Sequence, residues 1–131
     1  MRGILTHAYG NSHRLVNVTD QQRALEFWRD AVGFEVRENE EFMPQARWLT
    51  VAPPGGQACF TLWPLSAPGS EGRKVGGFTG VSLISDDIHA DFARLSAKGV
   101  RFTQEPKQMP WGLSAIFADP DGNQFNVVQP S

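Results

Sequence analysis

The chain is written twice. Asp20 opens a stretch of helical periodicity that Gly33 closes, and Asp86 and Gly99 repeat that spacing in the second half. At the same offset Ala24 matches Ala90, and Gly33-Phe34-Glu35-Val36 matches Gly99-Val100-Arg101-Phe102. Ala52-Pro53-Pro54-Gly55-Gly56 likewise matches Ala118-Asp119-Pro120-Asp121-Gly122. Several matches at one fixed offset point to a duplicated unit. A half that cannot bury its own apolar face must pack against its copy, and the groove between two copies is a natural place for a ligand. The 131 residues fit one domain, with a core large enough to need no staples.

In the first copy, residues 13–19 carry Leu15, Val16 and Val18 and predict a strand. Asp20 is a favoured helix N-cap because its carboxylate accepts orphan backbone N–H groups. Ala24, Leu25, Trp28 and Val32 then fall at helical spacing as a buried face, and Gly33 stands where a C′ glycine belongs. Residues 34–37, 47–51 and 57–63 read as strands. Glu38, Glu40 and Glu41 between them read as a solvated loop. The first module therefore covers about residues 13–65, and residues 66–77, rich in Pro, Gly and Ser, form a linker. Residues 1–12 carry little pattern and read as an arm.

The second module, about residues 78–129, repeats the order. A strand over 81–85 precedes a helix capped by Asp86 or Asp87, with Ile88, Phe92 and Leu95 inward and Gly99 at its end. A strand over 100–103, a loop over 105–112, a strand over 113–118, the Asp119-Pro120-Asp121-Gly122 turn and a strand over 124–129 complete it. The expected fold is α+β: two tandem βαβββ modules forming a curved, mostly antiparallel sheet around a groove, with helices on the other side.

Composition excludes several classes. The formal net charge is −2 and there is no basic run, so nucleic acid is not an expected partner. No stretch approaches the ~20 apolar residues of a membrane span. The single cysteine, Cys59, permits no disulfide within the chain and fits a reducing, cytoplasmic setting. No Gly-rich phosphate loop or carboxylate pair with catalytic spacing is present.

The element order, the Asp20-Gln21-Gln22-Arg23-Ala24-Leu25-Glu26-Phe27-Trp28 helix followed by Gly33-Phe34, and Phe117-Ala118-Asp119-Pro120-Asp121-Gly122-Asn123 before the last strand resemble the vicinal oxygen chelate superfamily. That group includes glyoxalase I, extradiol dioxygenases and bleomycin-resistance proteins. The resemblance implies homodimers with shared clefts, and enzymes that hold one divalent ion with four side chains. At those four positions this chain offers His13, then Phe60 or Thr61 depending on strand register, then Thr79 or Gly80, and finally Asn126. A catalytic divalent ion takes imidazole nitrogens and carboxylate oxygens from at least three protein ligands. Only His13 meets that need, so no metal cofactor is expected.

Two functions follow. The first is a metal-independent small-molecule binder with a groove lined by His13, Thr61, Trp63, Trp111 and Asn126, Trp111 acting as a stacking lid. The second is a divergent lyase, isomerase or dioxygenase with a relocated metal site, or with His13 as general base. Trp28 is core by its helical spacing. Trp48 and Trp63 lie on strands and face either the helices or the groove.

Overall fold

A computed structural model describes residues 7–8, 13–56 and 59–131. The short strand β1 (His7–Ala8) precedes β2 (His13–Val18), which leads into Asp20. The Asp20 side chain accepts from the Arg23 N–H at 3.0 Å and starts helix α1 (Gln21–Glu26). Over Phe27–Val32 the helix widens into a π-helical turn, ended by Gly33 at φ +92°. The Gly33 N–H donates to the Trp28 carbonyl, five residues back, at 3.0 Å. Strands β3 (Glu35–Met43), β4 (Ala46–Ala52) and β5 (Cys59–Pro64) complete the first module. The second module contains β6 (Gly77–Ile84), α2 (Ile88–Ala97), β7 (Arg101–Met109), β8 (Gly112–Ala118) and β9 (Asn123–Pro130).

This is the expected α+β arrangement of two tandem βαβββ units. Each module forms its own sheet, in the orders β2-β5-β4-β3 and β1-β6-β9-β8-β7. In both, the module's first strand lies parallel to its last (β2 with β5, β6 with β9), and the remaining neighbours are antiparallel. The apolar sides of both sheets meet the helices in one core. Trp28 is fully buried there, with Phe27, Phe34, Phe60, Phe117 and Phe125 around it at ring separations of 4.9–6.0 Å. Phe60 of β5 and Phe125 of β9 stand 5.7 Å apart, so each copy covers the other's apolar face.

Three sequence expectations change, and one left open, the cap of α2, is settled. Asp87, not Asp86, caps α2, its side chain accepting from the Ala90 N–H at 3.1 Å. The first copy thus has one residue more between cap and glycine, and the π-helical turn absorbs it. Glu38, Glu40 and Glu41 do not form a loop but continue β3, and residues 105–109 continue β7. Both are edge strands, where charged side chains are tolerated. Pro106 has no N–H for the ladder, and the β7–β8 register slips beside it, between Gln104 and Lys107. Finally, His7–Ala8, read as part of an arm, pairs with Leu83 and Ile84 of β6.

The Asp-Pro-Asp-Gly-Asn turn does more than reverse the chain. The Asp121 carboxylate accepts from the Thr19 N–H (3.0 Å), the Thr19 hydroxyl (2.6 Å) and Arg23 Nη2 (3.1 Å), all in the first module. Asn123 Nδ2 donates to the Asn17 carbonyl and to Asp119 Oδ2, each at 2.9 Å, while its Oδ1 accepts from the Gly76 N–H at 2.8 Å. The turn is a clasp between the modules. No helix among the described residues is long and apolar enough to cross a membrane.

Candidate functional site

Strand alternation sets the face away from the core. In β5, Phe60 and Leu62 point into the core with Val16 of β2, while Thr61 and Trp63 point the other way. That settles the strand register that the sequence left open. Across the first sheet, Leu15, Thr61, Thr50 and Glu38 stand in one row through successive paired positions. Asn17, Trp63, Trp48 and Glu40 stand in the next, with Trp48 and Trp63 rings 6.1 Å apart.

A second register shift in β3, between Glu41 and Met43, brings Phe42 against both tryptophans, at 6.0 Å from Trp48 and 5.8 Å from Trp63. Bulges commonly re-aim a side chain in this way. Phe42 remains 59% exposed. A cavity of about 510 Å³ opens here, lined by Glu38, Glu40, Glu41, Phe42 and Trp48. Glu38 Oε1 accepts from Trp48 Nε1 at 3.0 Å and from the Thr50 hydroxyl at 3.3 Å, which fixes the indole. Trp63 is held by its Nε1 donating to the Pro68 carbonyl at 2.9 Å.

Thr61 and Trp63 therefore lie on one face, joined by Trp48, Phe42 and Glu38. Asn126 lies on the other sheet, where its Oδ1 accepts from the Ser114 hydroxyl at 2.9 Å and its Nδ2 donates to Ser82 Oγ at 3.4 Å. Trp111 sits at the tip of the β7–β8 hairpin, 54% exposed, and no described residue makes a ring contact with it. His13 pairs in register with Cys59 on β5, and its side chain lies outside the described residues. Phe42 and the glutamates escaped the sequence reading because a run of acids looks like a loop. The available signal was the aromatic that follows them.

Of the four positions that would hold the superfamily's metal, the three with described side chains supply neither imidazole nor carboxylate. The Thr79 hydroxyl donates to the Gln124 carbonyl at 2.8 Å and accepts from the Val81 N–H, so it closes an irregularity in β6. Gly80 offers no side chain, Thr61 offers only a hydroxyl, and the Asn126 amide is engaged by serines. No group of three or more His, Cys, Asp or Glu side chains among the described residues could hold an ion. Such a neutral donor set neither replaces water well nor balances a divalent charge. Cys59 is no stronger a candidate for chemistry. Burial, with Glu38 adding to it, pushes its pKa up and keeps it a thiol.

A smaller cavity of about 260 Å³ lies at the seam between the modules, with Arg14, Asn17, Arg73, Lys74, Thr79 and Asn123 in its walls. Arg14 Nη1 donates to the Thr79 carbonyl at 2.8 Å, and Arg73 Nε donates to Asn17 Oδ1.

Known proteins place this geometry. The model of the glyoxalase/bleomycin resistance protein/dioxygenase superfamily matches residues 10–127. A crystal structure of a member of that superfamily from Sphaerobacter thermophilus DSM 20745 is 42% identical, with a TM-score of 0.82 over 89% of this chain and 94% of that one. TnmS3, an antibiotic binding protein from Streptomyces sp. CB03234, is 37% identical, with a TM-score of 0.74 over 94% of this chain and 97% of its own. YetH of Bacillus subtilis (strain 168), an uncharacterized protein, is 37% identical over 84% of this chain and 89% of its own length. The chain belongs to the glyoxalase/bleomycin resistance protein/dioxygenase superfamily.

Proposed function

We propose that this protein binds a small organic molecule on the outer face of its first sheet, and that it does so without a divalent ion. The observation that carries the reading is the aromatic corner of Phe42 and Trp48 that opens on this cavity, backed by the buried Trp63, with the Glu38 carboxylate at its edge. Apolar clefts with a few fixed polar groups are the usual small-molecule sites. The likeness to an antibiotic binding protein supports it. The weak donor set at the superfamily's ligand positions supports the absence of a metal. We propose further that two copies associate. In a shared cleft, Trp111 and Asn126 would belong to the wall that the second module supplies.

The test is a titration with a panel of flat aromatic compounds, followed by tryptophan fluorescence and calorimetry, with and without chelator. Binding that survives chelation and weakens at least tenfold in Trp48→Ala is expected. Stoichiometric metal bound by the purified protein, with ligand affinity dependent on it, would return the divergent lyase or dioxygenase to first place.

A further inference from the structure

We infer that the occupant of the first-sheet cavity is an organic cation: an amine, ammonium or guanidinium carried on an apolar body. The inference rests on the binding role proposed above and narrows its chemistry. The planes of Phe42, Trp48 and Trp63 meet at 48°, 72° and 61°, so the three rings form a corner, not a flat stack. A ring face carries the negative end of the π quadrupole, and a corner built from rings attracts a cation that loses its water.

Charge agrees with this. Glu38, Glu40 and Glu41 line the same cavity. Among the described residues none of them forms an ion pair, although Arg47 stands opposite Glu41 in the ladder. The basic residues of this sheet are held elsewhere. Arg47 donates to Asn39 and Gln22, and Arg37 donates to Glu35 and to the carbonyls of Pro53 and Gly56. Trp48 Nε1 and Thr50 bond Oε1 of Glu38, which leaves Oε2 with no protein donor among the described residues. At the other edge of the sheet, Arg14, Arg73 and Lys74 surround the seam cavity. Three strand spacings, about 14 Å, separate the two edges. A cation is therefore drawn toward β3 and repelled from β2, and an anion feels the reverse. The aromatic rings supply the apolar area and the field across the sheet orients the ligand.

Three compounds sharing one ring system test this on the intact chain by calorimetry at neutral pH: 1-naphthylmethylamine, 1-naphthylmethanol and 1-naphthoate. The amine is expected to bind about tenfold or more tighter than the alcohol, with the carboxylate weakest. That preference should shrink between about 0.01 M and about 1 M salt, where the Debye length falls from about 30 Å to about 3 Å. It should also shrink in Glu38→Gln/Glu40→Gln/Glu41→Gln, and in the milder Glu40→Gln/Glu41→Gln, which alters only exposed side chains. Equal binding of amine and alcohol, lost in Trp48→Ala, would overturn the cation inference and leave the aromatic site standing. A preference for the carboxylate, or an amine preference that neither the glutamine variants nor salt reduces, would also overturn it. Failure of all three compounds to bind would overturn both readings.

Discussion

Trp28 stands where the two copies meet, with five phenylalanine rings around it and an indole N–H that has no hydrogen-bond partner among the described residues. Its helical spacing marked it as core, and the sequence could say no more, because the rings that surround it come from both modules. Trp28→Ala is expected to cost about 3–5 kcal/mol in urea unfolding. Trp28→Phe should cost less, since it also removes an unpaired buried donor. A loss below about 1 kcal/mol for the alanine variant would contradict this packing. Asp119 and Asp91 illustrate burial of a different kind. Desolvation raises both carboxyls above their usual value of 3.8, although Asn123 donates to the first and Ser85 and Arg94 to the second. A raised folded-state pKa means that the protonated form is the one favoured by folding. Their contribution is fully present below 3.8 and is lost as pH rises through the folded values. Carboxyl titration by NMR should therefore show both protonating at higher pH than in the unfolded chain, and a midpoint below 3.8 for either would contradict it.

At the scale of elements, turn chemistry was the most legible part of the sequence. Asp20, Gly33 and the Asp-Pro-Asp-Gly-Asn turn all stand where residue type places them. The partners of the turn were not legible, because they lie about a hundred residues away, at Thr19 and Asn17. Asp121→Ala should cost about 1–2 kcal/mol through Thr19 and Arg23, and Asn123→Ala about 2–3 kcal/mol because its amide is buried. Thermal melting of the two variants would contradict the clasp if both matched the parent. The β3 edge was misread for a physical reason: three acids in four positions suit solvent, and an edge strand meets solvent too. The extra residue in the first helix was likewise invisible in a repeat aligned by glycines. Gly112 gives a sharper test of strand geometry. Its φ is +134°, and a Cβ there would lie 2.3 Å from the Gln129 carbonyl oxygen. Gly112→Ala should lower stability by about 1–3 kcal/mol. A melting temperature equal to the parent's would show that β9 yields freely.

For the whole molecule, duplication gave the fold its order, and loss of symmetry gave the candidate site its character. The first sheet carries aromatics and acids on its outer face, and the second carries Ser82, Ser114 and Asn126. The repeat was readable because it preserves cap, glycine and turn. The site was only half readable: Thr61 and Trp63 were expected, and Phe42 and Glu38 depended on bulges that no short-range pattern announces. Phe42, Phe78 and Trp111 are large exposed apolar side chains. They supply area for the proposed pairing of two copies, and light scattering at increasing concentration should give twice the 14.5 kDa chain mass. A constant monomer mass would remove the shared cleft. The binding claim itself is tested most directly by the four indole N–H signals in ¹H–¹⁵N NMR, followed as 1-naphthylmethylamine is added with chelator present. Shifts at Trp48 and Trp63, with Trp28 unmoved in the core, are the expected result. Silence at both Trp48 and Trp63, or shifts there that appear only when chelator is left out, would contradict a metal-free aromatic site.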